Sequence, residues 1–141
     1  MSEFKPSKEQ KESFMLQAVE LAKNGRGYTA PNPCVGALLV HQGEVVARDW
    51  HWAYGQAHAE VNVINACRQK GIDPAKCSLY VTLEPCNHQG KTPPCTQAIL
   101  NSGIREVFIG TEDPNQQVTG KGREFLRSQG VKVKSKIAEQ A

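Results

Sequence analysis

The sequence predicts an α/β domain in which a mixed sheet carries helices on both faces. Three observations carry that expectation. Short β-branched and aromatic runs alternate with longer stretches of helical period, in the order α, β-hairpin, α, β, α, β, α, β. Glycine, proline and asparagine clusters separate them. No repeat, linker or low-complexity tract divides the 141 residues, a length that suits one domain with its own core. A single domain over 1–141 is expected.

Each element has its own signal. Residues 7–24 read as a helix, because Ser7 and Gln10 have capping-box spacing. Phe14, Ala18 and Leu21 recur at i, i+4 and i+7, with Met15, Val19 and Ala22 widening the stripe, and Gly25 is a natural stop. "GRGYTAPNP" is loop. "VGALLV" (35–40) and "VVARDWHW" (45–52) are strand-like, and "HQGE" between them is a hairpin turn. "AHAEVNVINACRQKG" reads as a helix with Ala59, Val63, Ala66 and Cys67 on one side and Gly71 closing it. "SLYVTL" (78–83) is a short strand. Thr92 and Pro93 have the form of a cap and first helical residue before "CTQAILNSG". "REVFIG" (105–110) is a strand, "TEDPNQQVTG" a loop, "KGREFLRSQG" a short helix and "VKVKSKI" the last strand.

Composition removes several function classes. Hydrophobic residues at 39% and charged residues at 22% suit a folded globular chain. No apolar run approaches the roughly 18–20 residues that span a bilayer, and the polar start "MSEFKPSKEQKES" lacks a signal-peptide core. A cytoplasmic protein with no membrane partner is expected. The net charge of +3 is too mild to call for nucleic acid. Lys121, Arg123, Arg127, Lys132, Lys134 and Lys136 read as a solvated surface.

The five cysteines, Cys34, Cys67, Cys77, Cys86 and Cys95, are an odd number with no secretory signal, which argues against a disulfide framework. Cys86 and Cys95 flank a loop in "LEPCNHQGKTPPC", between a strand and a helix. His58 sits in "HAE" at the expected start of another helix. Both places are βα junctions. They share one end of the sheet if the neighbouring strands run parallel, and open α/β sheets usually place their sites at that end. One histidine and two cysteines make three ligands. Structural zinc generally takes four, whereas three leave a position for water. Zinc lowers the pKa of bound water toward neutrality, and the resulting hydroxide needs a proton carrier. Glu60, two residues after His58, has a permissive spacing for that task. H-x-E followed by P-C and a second Cys is the signature of zinc-dependent nucleobase deaminases. Here eight residues, rather than two, separate the cysteines.

"HAEVNVI…YVTLEPCNHQGKTPPC" resembles the deaminase domain of the bifunctional riboflavin-biosynthesis deaminase/reductase, a family with the same insertion between its zinc cysteines. "PNPCVGALLV" and "DPNQQVTGKG" resemble two further segments of that family, in the same order. The resemblance implies a three-layer α/β/α cytidine-deaminase-like fold with a mixed five-stranded sheet. It implies a cytoplasmic zinc hydrolase of riboflavin biosynthesis that replaces the 2-amino group of 2,5-diamino-6-ribosylamino-4(3H)-pyrimidinone 5′-phosphate by water and releases ammonia. Carried over residue by residue, it implies one Zn2+ per chain on His58, Cys86 and Cys95, with Glu60 as acid and base. It implies substrate contacts from Asn32, His51, His88, Lys91, Asp113 and Asn115. Lys91 has the charge to meet the ribose phosphate, and Asn32 can both donate to and accept from a heterocycle. Family members continue into a reductase domain. This sequence stops at "KSKIAEQA" and has no Gly-rich nucleotide fingerprint, so no reductase activity is expected of it. A separately encoded or missing reductase and a homo-oligomer stand among the expected partners, since single-domain deaminases of this class often assemble.

The alternatives are defined. A tRNA adenosine, guanine or cytosine deaminase shares His58, Glu60, Cys86 and Cys95 but does not need loop 87–94. A tRNA enzyme would also carry a more basic surface with stacking aromatics, and aromatics are only 6% here. A non-catalytic zinc module would use a fourth ligand, for which His88 is the nearest candidate. Taken alone, His51 in "WHW" reads as a hydrogen-bonded core histidine, and Cys34, Cys67 and Cys77 as packing residues.

Overall fold

The computed structural model describes residues 5–25, 34–52, 57–85, 95–111 and 121–135. Helix α1 (Lys8–Ala22) opens on the expected capping box. The Gln10 amide donates to Ser7 Oγ at 3.1 Å, and the Ser7 amide donates to Gln10 Oε1 at 2.8 Å. Its buried stripe is Phe14, Met15, Ala18 and Ala22. Val19, expected on that stripe, is exposed, because the buried face centres on Ala18 rather than spreading beyond it.

Strands β1 (Gly36–His41) and β2 (Glu44–Trp50) form the expected hairpin. Gln42 and Gly43 both take positive φ, 50° and 83°, which matches the twist of a two-residue hairpin loop. Helix α2 (Ala59–Gln69) ends at Gly71, whose φ of 77° lets the chain turn back. A 3-10 turn at Pro74–Lys76, absent from the sequence reading, follows; Asp73 caps it by accepting from the Ala75 amide at 3.0 Å. Strand β3 (Ser78–Leu83), helix α3 (Cys95–Ser102), strand β4 (Glu106–Thr111), helix α4 (Lys121–Ser128) and strand β5 (Lys132–Lys134) complete the order. The expected cap at Thr92 and Pro93 lies outside the described residues.

The five strands form one mixed sheet in the order β2-β1-β3-β4-β5. β1 runs antiparallel to both β2 and β3, whereas β3, β4 and β5 are mutually parallel. Alternation along the strands divides the core. Leu38, Val40, Tyr80 and Phe108 face α1 and pack with Phe14, Met15 and Ala18. Ala37, Leu39, Leu79, Val81, Val107 and Ile109 face the other way, onto Val63, Ile64 and Cys67 of α2, Ile99 of α3 and Leu126 of α4. Helices therefore cover both faces, as the sequence predicts.

Two close approaches fix the layers. A Cβ on Gly36 would stand 2.1 Å from the Ala18 carbonyl oxygen, so α1 crosses β1 at backbone contact. On the aromatic side, Phe14 of α1 meets Tyr80 of β3 with 5.2 Å between ring centroids.

The topology places the site. β2, β3 and β4 run in the same direction because each of β2 and β3 opposes β1 and β4 follows β3. The chain leaves β2 toward His51 and His58, leaves β3 toward Pro85, and leaves β4 at Thr111, all at one sheet end. β1 begins at that same end. Among the described residues no helix is long and apolar enough to cross a membrane.

Candidate active site

His51 follows β2 directly. Its amide donates to the Val35 carbonyl at 3.0 Å, and the residue is only 2% exposed. Its ring stands edge-on to that of His58, with 4.9 Å between centroids. Asn62 fastens the end of β2 to the start of α2: its Nδ2 donates to the Trp50 carbonyl at 2.9 Å and the Ala57 carbonyl at 3.2 Å. His58 is the N-cap of α2, but its side chain makes no cap hydrogen bond.

The imidazole serves another partner. His58 Nδ1 lies 3.0 Å from Cys95 Sγ. Cys95 is the first residue of α3 and is 1% exposed. The two side chains come from helices 37 positions apart in sequence and meet at the N-terminal ends of both. Unpaired backbone N–H groups at such ends favour the thiolate form of cysteine. Glu60, in the first turn of α2, is 3% exposed. A carboxylate kept at that depth would cost several kcal/mol without compensating charge or hydrogen bonds. Buried two residues after His58, it sits in the same first turn of α2.

An imidazole nitrogen and a thiolate sulfur are the donor types zinc takes, at about 2.0–2.1 Å and 2.3 Å. Around a shared tetrahedral ion those bonds would set the two donors roughly 3.5 Å apart. The observed 3.0 Å is within a small side-chain adjustment of that separation, so the pair fits a zinc ion. The third expected ligand, Cys86, lies outside the described residues, and among the described residues no group of three His, Cys, Asp or Glu is close enough to hold a metal. Asn32, His88, Lys91, Asp113 and Asn115 also fall outside them. The structure thus brings together His51, His58 and Cys95, with Glu60 two residues from His58.

The remaining described cysteines behave as the packing residues expected. Cys67 and Cys77 are buried below the far half of the sheet, and their thiols donate to the carbonyls of Ile72 at 3.5 Å and Asp73 at 3.7 Å. Burial pushes the Cys77 thiol up to about 12 and raises that of Cys67 too, which keeps both protonated. Cys34 is half-buried.

Two residues of the site's frame escaped the sequence reading. Asn62 could have been found as the polar residue one turn beyond the HAE motif. Glu84 could have been found as the lone carboxylate between the apolar strand "SLYVTL" and the Pro85-Cys86 pair. It is 4% exposed and its Oε2 accepts from the Arg123 amide at 3.2 Å.

Known proteins share the sequence and the fold. The chain is 50% identical over 131 residues to riboflavin biosynthesis protein RibD of Bacillus amyloliquefaciens, which covers 92% of this chain and 34% of that protein. It is 48% identical to diaminohydroxyphosphoribosylamino-pyrimidine deaminase of Buchnera aphidicola subsp. Schizaphis graminum, covering 86% of this chain and 80% of that one. The crystal structure of a diaminohydroxyphosphoribosylaminopyrimidine deaminase/5-amino-6-(5-phosphoribosylamino)uracil reductase from Thermotoga maritima superposes with a TM-score of 0.89 at 47% identity. The match covers 94% of this chain and 38% of that chain. The chain therefore spans about a third of the bifunctional relatives and most of the shorter one. Residues 8–111, from the first helix through the fourth strand, match the family model of the cytidine and deoxycytidylate deaminase zinc-binding region, and the chain belongs to that family, within its riboflavin-biosynthesis deaminases.

Proposed function

We propose that the protein deaminates 2,5-diamino-6-ribosylamino-4(3H)-pyrimidinone 5′-phosphate, with one zinc ion per chain held by His58, Cys86 and Cys95. The convergence of His58 Nδ1 and Cys95 Sγ to 3.0 Å at one sheet end carries this reading. The 48% identity to the Buchnera deaminase supports the choice of substrate. Zinc supplies an activated water at neutral pH.

The chain's own groups do the rest. Glu60 takes a proton from the attacking water and delivers it to a ring nitrogen, then carries the remaining proton of the added hydroxyl to the departing amine. Water adds to the carbon bearing the 2-amino group, the C–N bond breaks, and ammonia leaves with the carbonyl formed in its place. His51 packs edge-on against His58 and orients it while presenting its own edge to the substrate. Asn32, His88, Asp113 and Asn115 contact the base and ribose, and Lys91 meets the phosphate.

The deciding measurement is ammonia release from the diaminopyrimidine phosphate, with cytosine, guanine and tRNA alongside and zinc quantified in the same samples. Turnover of the diaminopyrimidine phosphate with about one zinc per chain is the expected result. Turnover confined to the other three substrates would overturn the assignment.

A further inference from the structure

We infer that Glu84 is a positioning residue that ties the metal half of the site to its substrate half. The inference rests on the proposed deaminase reading for its kinetic consequences, and on the geometry below for its structural ones.

Glu84 is the first residue beyond β3 and stands two residues before Cys86. Among the described residues, three contacts converge on it and on its neighbour Pro85. Its amide donates to the Thr111 carbonyl, the last residue of β4, at 3.0 Å. Its carboxylate Oε2 accepts from the Arg123 amide in the first turn of α4 at 3.2 Å. Gly122 packs so tightly that a Cβ there would lie 2.2 Å from the Pro85 carbonyl oxygen and 3.4 Å from Glu84 Oε2. One residue therefore fastens both the point where the chain leaves β4 and the point where it enters α4. The segment between those points, 112–120, contains Asp113 and Asn115.

The chemistry of the side chain fits this task. A carboxylate 4% exposed at the end of an apolar strand is a poor choice for packing alone. Aimed at the N-terminus of α4, it satisfies an N–H group that the helix cannot pair internally and meets the positive end of the helix dipole. The link spans 39 positions, so it joins parts of the site that the chain does not join locally. Cutting it leaves α4 free to shift relative to Pro85.

Replacement of the carboxylate tests this. Glu84→Ala removes the acceptor and frees the Arg123 amide, whereas Glu84→Gln keeps an acceptor oxygen in the same place. For Glu84→Ala, hydrogen exchange at the Arg123 amide is expected to accelerate at least about tenfold, the loss of one buried hydrogen bond. KM for the diaminopyrimidine phosphate is expected to rise about tenfold or more, with kcat reduced less than KM is raised. Zinc is expected to leave faster in a chelator challenge. Glu84→Gln is expected to restore all three to within about threefold of the unaltered protein, the residue of the charge–dipole interaction. Should the alanine variant fail to fold, Glu84→Asp, which shortens the reach by one methylene and keeps the charge, is compared with Glu84→Gln by the same readouts. Unchanged Arg123 exchange and zinc retention in Glu84→Ala would overturn the inference, as would equal defects in Glu84→Ala and Glu84→Gln. If the unaltered protein does not turn over this substrate, the functional assignment fails, and the exchange and chelator measurements still decide the role of Glu84.

Discussion

Replacing Gly36 by alanine probes how tightly α1 is laid on the sheet. The new Cβ would sit 2.1 Å from the Ala18 carbonyl oxygen and 2.8 Å from the Ala22 amide nitrogen. Ordinary contact begins near 3.4 Å, so the helix and β1 must separate by about 1.3 Å. Both obstacles are backbone atoms, and no rotamer change relieves them. Separation also opens the seam where Phe14, Met15 and Ala18 meet Leu38, Tyr80 and Phe108. Overpacking of this kind costs about 1–3 kcal/mol, and the backbone clash places this case at the upper end. At about 2–4 °C per kcal/mol for a domain of this size, Tm should fall by roughly 6–12 °C. Calorimetry on Gly36→Ala measures the effect. Gly130→Ala is the control for backbone strain without a clash, since Gly130 has φ +89° and nothing within 4 Å. Because α1 covers the face opposite α2 and α3, zinc content should stay as in the unaltered protein. A Tm within about 2 °C of wild type, well under the expected fall of roughly 6–12 °C, would refute the close-contact argument.

Glu60→Gln should keep its zinc, checked by metal analysis, while ammonia release falls by about 10²–10⁴, the usual share of general acid–base catalysis. Cys95→Ser and His58→Ala should each purify with well under one zinc per chain, in contrast to Cys67→Ala, whose thiol is a buried packing group. Alkaline pH should destabilise the fold. The folded Cys77 thiol is raised to about 12 against an ordinary 9.0, so unfolded chains release that proton first, and stability declines from about pH 9 upward at about 1.4 kcal/mol per pH unit. Urea midpoints under reductant from pH 8 to 11 follow this, and a Cys77→Ala variant should show a shallower decline. Tyr80→Phe should stabilise the protein by about 1 kcal/mol, because Tyr80 Oη is buried without a hydrogen-bond partner among the described residues; a lower Tm in that variant would contradict this.

The elements that were readable from sequence are those with strong local signals. Ser7 and Gln10 announced α1, and the structure forms both of their reciprocal bonds. "HQGE" announced a hairpin, and "SLYVTL" is β3 residue for residue. What stayed hidden depends on distant partners. The exposure of Val19 follows from the close crossing of α1 over Gly36, which no helical period encodes. The turn at Pro74–Lys76 is an exception, a local one: Asp73 accepts from the Ala75 and Lys76 amides, which no hydrophobic period announces. In the site, motif spacing singled out His58 and Cys95, and the fold brings them within 3.0 Å. Asn62 and Glu84 were missed because a framing residue touches backbone rather than substrate, and its partners, Trp50 and Arg123, are named only by the fold.

The meeting of His58 and Cys95 has a meaning for the chain as a polymer. Any ion shared by the two side chains is a cross-link across 37 positions. In a chain-entropy picture, tying a loop of that length removes freedom from the unfolded chain worth about 4 kcal/mol, comparable to a disulfide. Unlike a disulfide, the tie needs no oxidant and can be undone by a chelator. Burial keeps the Cys67 and Cys77 thiols protonated, so the tie between α2 and α3 would rest on His58 and Cys95 and not on a second cysteine pair.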